Sequence, residues 1–191
     1  MTLLSLLAFI LLTAGTAVFV AAEFSLTALE RSVVEANARA GGRREQFIRK
    51  AHRTLSFQLS GAQLGISITT LATGYLAEPV VARLLYAPLT AIGIPADWVS
   101  GIALALALLI ATSVSMIFGE LVPKNIAITM PLATARFVVM PMQAFTKACA
   151  WFIRSMNRTS NWAVRRFGIE PADELARRLL AGGDDHDGVV A

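Results

Sequence analysis

One cysteine, Cys149, excludes an intrachain disulfide and supplies no thiolate set for zinc. The only histidines, His52 and His186, lie far apart, and each reads as a solvated side chain rather than a ligand. No nucleophile–base pair, phosphate loop or redox motif is present, so the chain is expected not to be an enzyme. Charge is also scarce, at 16% of 191 residues, and it is unevenly placed. Three stretches carry none at all: 1–22, 54–77 and 98–119. Each is long enough to cross a bilayer as a helix, since about 20 residues at roughly 1.5 Å per residue suffice.

What is abundant agrees. Hydrophobic residues make up 55% of the chain and the mean hydropathy is +0.61. A soluble protein of this length has no shell large enough to cover three such stretches. The expected fold is an all-α membrane protein of one domain.

A net charge of +4 and a pI near 9.8 suit a nucleic-acid partner in number but not in placement. The basic residues flank the apolar stretches, as cytoplasmic membrane edges require. Between the first two stretches stand Arg31, Arg39, Arg43, Arg44, Arg49, Lys50 and Arg53 against Glu30, Glu35 and Glu45. That excess puts this segment inside, the N-terminus outside and the C-terminus in the cytoplasm. Gly41-Gly42 divides the segment into two short helical pieces. Val20-Ala21-Ala22 resembles a cleavage site, but the first apolar run lacks a basic leader and is long for a signal peptide, so it reads as a retained helix.

The expected helices run over about 3–29, 55–77 and 98–121. The segment 78–97 contains Pro79, Pro88, Pro95 and one basic residue, Arg83, and reads as an external connection whose apolar run 80–94 dips into the interface. After Pro123 the pattern changes. Arg136, Lys147, Arg154, Arg158, Arg165 and Arg166 punctuate the rest, which fits an amphipathic juxtamembrane belt over about 130–166. A fourth crossing over 130–153 would put Arg154, Arg165 and Arg166 outside. The Gly- and Asp-rich tail, 177–191, reads as disordered, and Asp184-Asp185-His186-Asp187 as solvated. No internal repeat is visible, so a homodimer is the other route to a symmetric pathway.

The chemistry concentrates in Phe118-Gly119-Glu120-Leu121-Val122-Pro123-Lys124-Asn125. Here an apolar span ends in a carboxylate, which needs a partner, a proton or a cation. Pro123 removes a backbone donor and frees a carbonyl in the preceding turn, where it is expected to break the helix. A carboxylate beside freed carbonyls is a start for a hard-cation site. The structural alternative is an i,i+4 pair between Glu120 and Lys124. Helix two is rich in hydroxyls (Ser56, Ser60, Ser67, Thr69, Thr70, Thr73), most of which can bond their own helix. Its Gly61 and Gly65 form a small-xxx-small pair suited to close helix packing. Glu23, at the inner end of helix one, reads either as a second acidic group for Na+ or as the partner of a loop arginine.

Three motifs together resemble the transmembrane domain of the CorC/CNNM family of magnesium transporters. They are Ala21-Ala22-Glu23-Phe24-Ser25-Leu26, Gln63-Leu64-Gly65-Ile66-Ser67, and Phe118-Gly119-Glu120-Leu121-Val122-Pro123-Lys124. The resemblance covers about residues 1–176. It implies three membrane helices per subunit, a juxtamembrane belt, a homodimer in the plasma (inner) membrane, and Mg2+ export coupled to Na+ entry. It also implies a Mg2+ site in an inward-facing cavity, with Ser25 and Glu120 matching the family positions. Ser67 is the first choice from helix two and Thr70 the second, and Gly119 offers its carbonyl. Family members usually continue into cytosolic CBS modules, which lie outside this sequence whether it is a piece of a longer protein or a short member, so nucleotide binding is not implied. Two other functions stay open: a membrane protein that senses Mg2+ as a regulator or scaffold, and a membrane-damaging, haemolysin-like protein.

Overall fold

The computed structural model describes residues 2–167, apart from the side chains of residues 2, 3, 77–80 and 96. The expected tail at 177–191 and the end of the domain near 176 lie outside the described residues. Among those described, helix is the only regular structure. The elements are α1 (Thr2–Ala28), α2 (Arg31–Arg39), α3 (Arg43–Arg53), α4 (Leu55–Ala91), α5 (Ala96–Ser115), a π-helical turn (Met116–Leu121), α6 (Val122–Thr129), α7 (Pro131–Ala148) and α8 (Ala150–Arg166). Three stretches are long and apolar enough to cross a membrane: Leu4–Ala28, Leu55–Ala91 and Asp97–Thr129. The charged segment between the first two forms the two expected short helices, with Gly41 at φ +82° supplying the left-handed joint that glycine accepts without strain.

Two spans are longer than the sequence predicts. Helix two does not stop at residue 77 but continues through Pro79 and Pro88 to Ala91, so most of the expected external connection is helical. Helix three does not end at Leu121. It passes Pro123 through the π-helical turn and stops at Thr129. The real break comes at Met130, which takes φ −130° and ψ 65°. The residue before a proline is driven out of the α region, and Pro131 then starts α7 with its φ already set.

The chain divides into two compact units, Met1–Lys147 and one beginning at Ala148. Within the first, α1 packs against α4, the π-helical turn and α6, while α4 also packs along α5. Small residues set the α1–α4 approach. A side chain at Gly15 would meet Thr69, and one at Gly65 would meet the Phe19 ring. Thr16 Oγ1 lies 2.7 Å from Thr69 Oγ1, a hydrogen bond across the interface. Ala21, Ala22 and Ala62 pack with Val138 and Met142 of α7.

Below this contact, Leu26 and Leu29 are buried with Val34, Ile48, Ala51, Ala135 and Val139, which ties α1, α2, α3 and α7 together. Polar bonds fix the same junction. His52 Nε2 is 3.0 Å from the Leu29 carbonyl, so this histidine tethers α3 to the end of α1 rather than facing solvent alone. Gln143 donates to the Phe47 carbonyl at 2.8 Å. Arg136 Nε stands 2.8 Å from Glu45 Oε1, an ion pair off the hydrogen-bond axis. At the opposite end of α4, Leu89, Val99 and Ala103 bury one another where α4 turns into α5. In the second unit α8 is a single helix bearing Arg154, Arg158, Arg165 and Arg166, with Trp151 and Trp162 exposed. Helices α7 and α8 cover the residues at which the belt is expected.

Candidate functional site

The π-helical turn decides where Glu120 points. The Val122 amide bonds to the Ile117 carbonyl, five residues back. Pro123 has no amide hydrogen, and in a regular α-helix its ring would clash with the carbonyl of Gly119 four residues before. The wider turn removes that clash at the junction. It also changes the helix register. In an uninterrupted α-helix each residue advances about 100°, so Glu120 would sit roughly 140° round from Ser115. One residue accommodated in a π turn brings Glu120 back over the face that carries Ser115, and single π turns of this kind recur at functional sites.

That face looks into a cavity of about 200 Å³ between α4 and α5. Its polar lining is Thr70 and Thr73 from α4, Thr112 and Ser115 from α5, and Glu120. The α4 groups stand three residues apart, as do the α5 groups, so each pair shares a helix face. Thr73 and Ser115 are buried, Glu120 is half-buried, and Thr70 and Thr112 stand exposed at the margin. The Thr73 hydroxyl donates to the Thr69 carbonyl at 2.7 Å, leaving its lone pairs as the acceptor side. Gly74, Ala111, Leu108 and Met116 complete the wall. Among the described residues no group of three or more His, Cys, Asp or Glu side chains converges on a point. The donor set here is therefore one carboxylate among hydroxyl oxygens, the type that suits a hard cation retaining part of its water.

The other predicted site residues sit elsewhere. Gly119 is buried on the opposite side of the turn, against α1, where an added Cβ would stand 3.5 Å from both Thr13 and Thr16. Ser25 is fully buried in α1 and is placed to donate to the Ala22 carbonyl at 3.3 Å. Ser67 is exposed on α4 and does not line the cavity, whereas Thr70, one turn on, does. Glu120 and Thr70 are thus the two that the structure brings together. Thr112 and Ser115 were not singled out by sequence, although a hydroxyl pair three residues apart, ahead of the carboxylate on the same span, was the available signal.

Lys124 does not pair with Glu120. The described ion pairs are Glu35 with Arg49 and Arg53, and Glu45 with Arg136. The Lys124 ammonium lies 4.5 Å from the centre of the Phe24 ring, a cation–π distance. It is also the positive charge near Glu23, whose hydrogen-bond partner is Gln63. Glu23 is therefore held by α4 and α6 rather than by a loop arginine, and the carboxylate of Glu120 is left for the cavity.

The geometry implies a simple dependence on Pro123. Pro123→Ala restores an amide at residue 123 and removes the ring that disfavours the regular helix. Relaxation of the turn would carry Glu120 away from Ser115. Weaker divalent-cation binding with an unchanged or raised melting midpoint is the expected result, read by titration calorimetry and thermal unfolding. Wild-type affinity in that variant would show that the proline does not hold the register.

These features define an all-α polytopic membrane domain with an acidic, hydroxyl-lined cavity between two spans. Residues 6–178 match the cyclin M transmembrane N-terminal domain, and the chain belongs to that family, CorC/CNNM. It is 59% identical over 174 residues to the UPF0053 protein MT1890 of Mycobacterium tuberculosis, covering 91% of this chain and 38% of that protein. It is 34% identical over 166 residues to the uncharacterized protein MT1889 of the same organism, covering 87% of this chain and 47% of that one. The UPF0053 protein YugS of Bacillus subtilis is 33% identical over 174 residues, 91% of this chain and 41% of its own. The chain thus spans less than half the length of these relatives.

Proposed function

We propose that this chain moves Mg2+ across the plasma membrane, exporting it against an entering Na+, with Glu120 as the charged ligand in the transport cavity. Membership of a family associated with divalent-cation transport supports the reading. The observation that carries it is the π-helical turn, which aims the Glu120 carboxylate between the hydroxyls of α4 and α5. A site with one negative charge leaves a divalent ion under-neutralised, so binding is reversible, as transport requires. Na+ asks less of the same oxygens, and exchange at one cavity needs no ATP. Two copies form the transporter, and the basic α2–α3 segment faces the cytoplasm, with the N-terminus outside.

The test is flux in proteoliposomes with a Mg2+-sensitive dye and an imposed Na+ gradient. Na+-driven Mg2+ movement in the wild type, lost in Glu120→Ala of equal helicity, is the expected pair of results. Cation-dependent stabilisation without flux would make the chain a sensor. Leakage of an inert dye would make it membrane-damaging. Unchanged flux in Glu120→Ala would remove Glu120 from the mechanism.

A further inference from the structure

The α2–α3 pair holds a feature that the transport reading does not use. An open cleft of about 430 Å³ is lined by Arg43, Gln46, Phe47, Arg49, Lys50 and Arg53, all from α3. Four of the six are cations. We propose that this cleft is a binding site for the phosphate-bearing headgroup of an anionic phospholipid, held at the membrane edge.

Three observations support the assignment. The first is charge separation across α3. Its only acidic residue, Glu45, is drawn to Arg136 of α7 at 2.8 Å, away from the other cations. Among the described ion pairs Glu35 of α2 is the carboxylate that reaches the cleft cations, and it is divided between Arg49 at 3.8 Å and Arg53 at 3.4 Å. Arg43 and Lys50 take part in none of the described ion pairs. The cleft therefore holds a positive excess that its own protein does not neutralise.

The second is preorganisation. The Arg49 guanidinium donates to Gln46 Oε1 at 2.6 Å, and the Gln46 amide donates to the Ala38 carbonyl at 3.0 Å. Arg49 is thus held in one orientation from two sides, and a fixed guanidinium fork suits phosphate oxygens. The third is depth. Ile48 and Ala51 of α3 are buried with Leu26 and Leu29, at the end of the first span. His52 is bonded to Leu29, and α4 begins two residues after α3 ends. The helix that carries the cations is therefore tied to the end of one candidate span and the start of the next, and in the proposed site it sits at the level of lipid phosphates. Basic pockets at this level, between or beside membrane helices, recognise anionic headgroups, and each cation near such a surface contributes roughly fivefold in affinity. The half-buried Phe47 adds an apolar wall for the glycerol end.

The detergent-solubilised chain would be titrated with short-chain phosphatidylglycerol, phosphatidylcholine or inorganic phosphate while its melting midpoint is followed. The midpoint is expected to rise with phosphatidylglycerol and not with phosphatidylcholine. Arg43→Ala with Lys50→Ala removes two exposed, uncommitted charges and is expected to raise the phosphatidylglycerol concentration needed for a given midpoint shift roughly 25-fold, two factors of about five. Arg43→Lys with Lys50→Arg keeps the charge and the response, and Glu120→Gln leaves it unchanged. An equal effect of phosphatidylcholine, or a double alanine variant that responds like wild type, would overturn the proposal. So would inorganic phosphate matching phosphatidylglycerol at the same concentration, since the site would then serve a soluble anion.

Discussion

Glu120→Gln is expected to weaken Mg2+ binding by roughly a thousandfold while leaving the cation-free protein at least as stable. Two unit charges about 4 Å apart at an effective dielectric of about 20 interact by roughly 4 kcal/mol. At about 1.4 kcal/mol per factor of ten, that is about three orders of magnitude. A divalent ion enlarges the attraction, and its reluctance to shed water offsets part of the gain. Glutamine keeps the shape and one oxygen, so the cavity between α4 and α5 is not emptied. Without a cation, the wild type holds a half-buried carboxylate that belongs to none of the described ion pairs, an unfavourable state in a span. The neutral variant is relieved of it. Calorimetric titration with Mg2+ reads the first effect and thermal unfolding in chelator reads the second. Wild-type affinity in Glu120→Gln would refute the assignment. A lowered midpoint in chelator would show that the carboxylate holds the fold instead.

The second large effect is structural. Gly65→Ala is expected to destabilise the chain by about 1–3 kcal/mol, the usual range for overpacking a tight interior. A Cβ at residue 65 would stand 2.6 Å from the Phe19 ring. That ring has little room to retreat, because Phe145 lies against it with centroids 4.7 Å apart. The helices α1 and α4 must then separate, which strains the Thr16–Thr69 hydrogen bond. Phe19→Leu in the same chain opens space for the methyl group and is expected to recover part of the loss. Thermal unfolding of the two single variants and the double variant measures the coupling. Additive losses would mean that the clash is relieved some other way.

Much of this architecture could be read from charge alone. The uncharged stretches at 1–22, 54–77 and 98–119 mark the spans, because a bilayer removes charge from its interior more strictly than any soluble core does. The arginines around Gly41-Gly42 and beyond Arg136 mark the short helices and the belt for the same reason. Helix ends were less legible. Pro79, Pro88 and Pro123 suggested breaks, yet a membrane helix tolerates a proline where a local change of turn or a neighbouring group re-satisfies the freed carbonyl, and the π-helical turn stands just before Pro123. Pro131 does end a helix: Met130 before it leaves the α region, and the proline opens α7.

The candidate site divides in the same way. Glu120 was legible because a carboxylate in an apolar span is rare. Which hydroxyls face it was not, since Ser25, Ser67, Thr70, Thr73, Thr112 and Ser115 are equivalent until the rotation of each helix is known. The π-helical turn adds a shift of register that no count at 3.6 residues per turn anticipates. The role of Gly119 follows from that shift, which turns it towards Thr13 and Thr16 while Glu120 turns away.

Helix α4 has one further consequence. It has 37 residues, about 55 Å at the α-helical rise, whereas hydrocarbon about 30 Å thick takes about 20 residues. The excess is absorbed by leaning over or by standing clear of the lipid, and the balance between the two depends on how thick the host membrane is. The buried contact of Leu89 with Val99 and Ala103 makes the start of α5 follow the end of α4. A thinner or thicker bilayer therefore acts on the whole α4–α5 hairpin, and the Glu120 cavity lies between its two arms. Acyl-chain length becomes a mechanical input to the site.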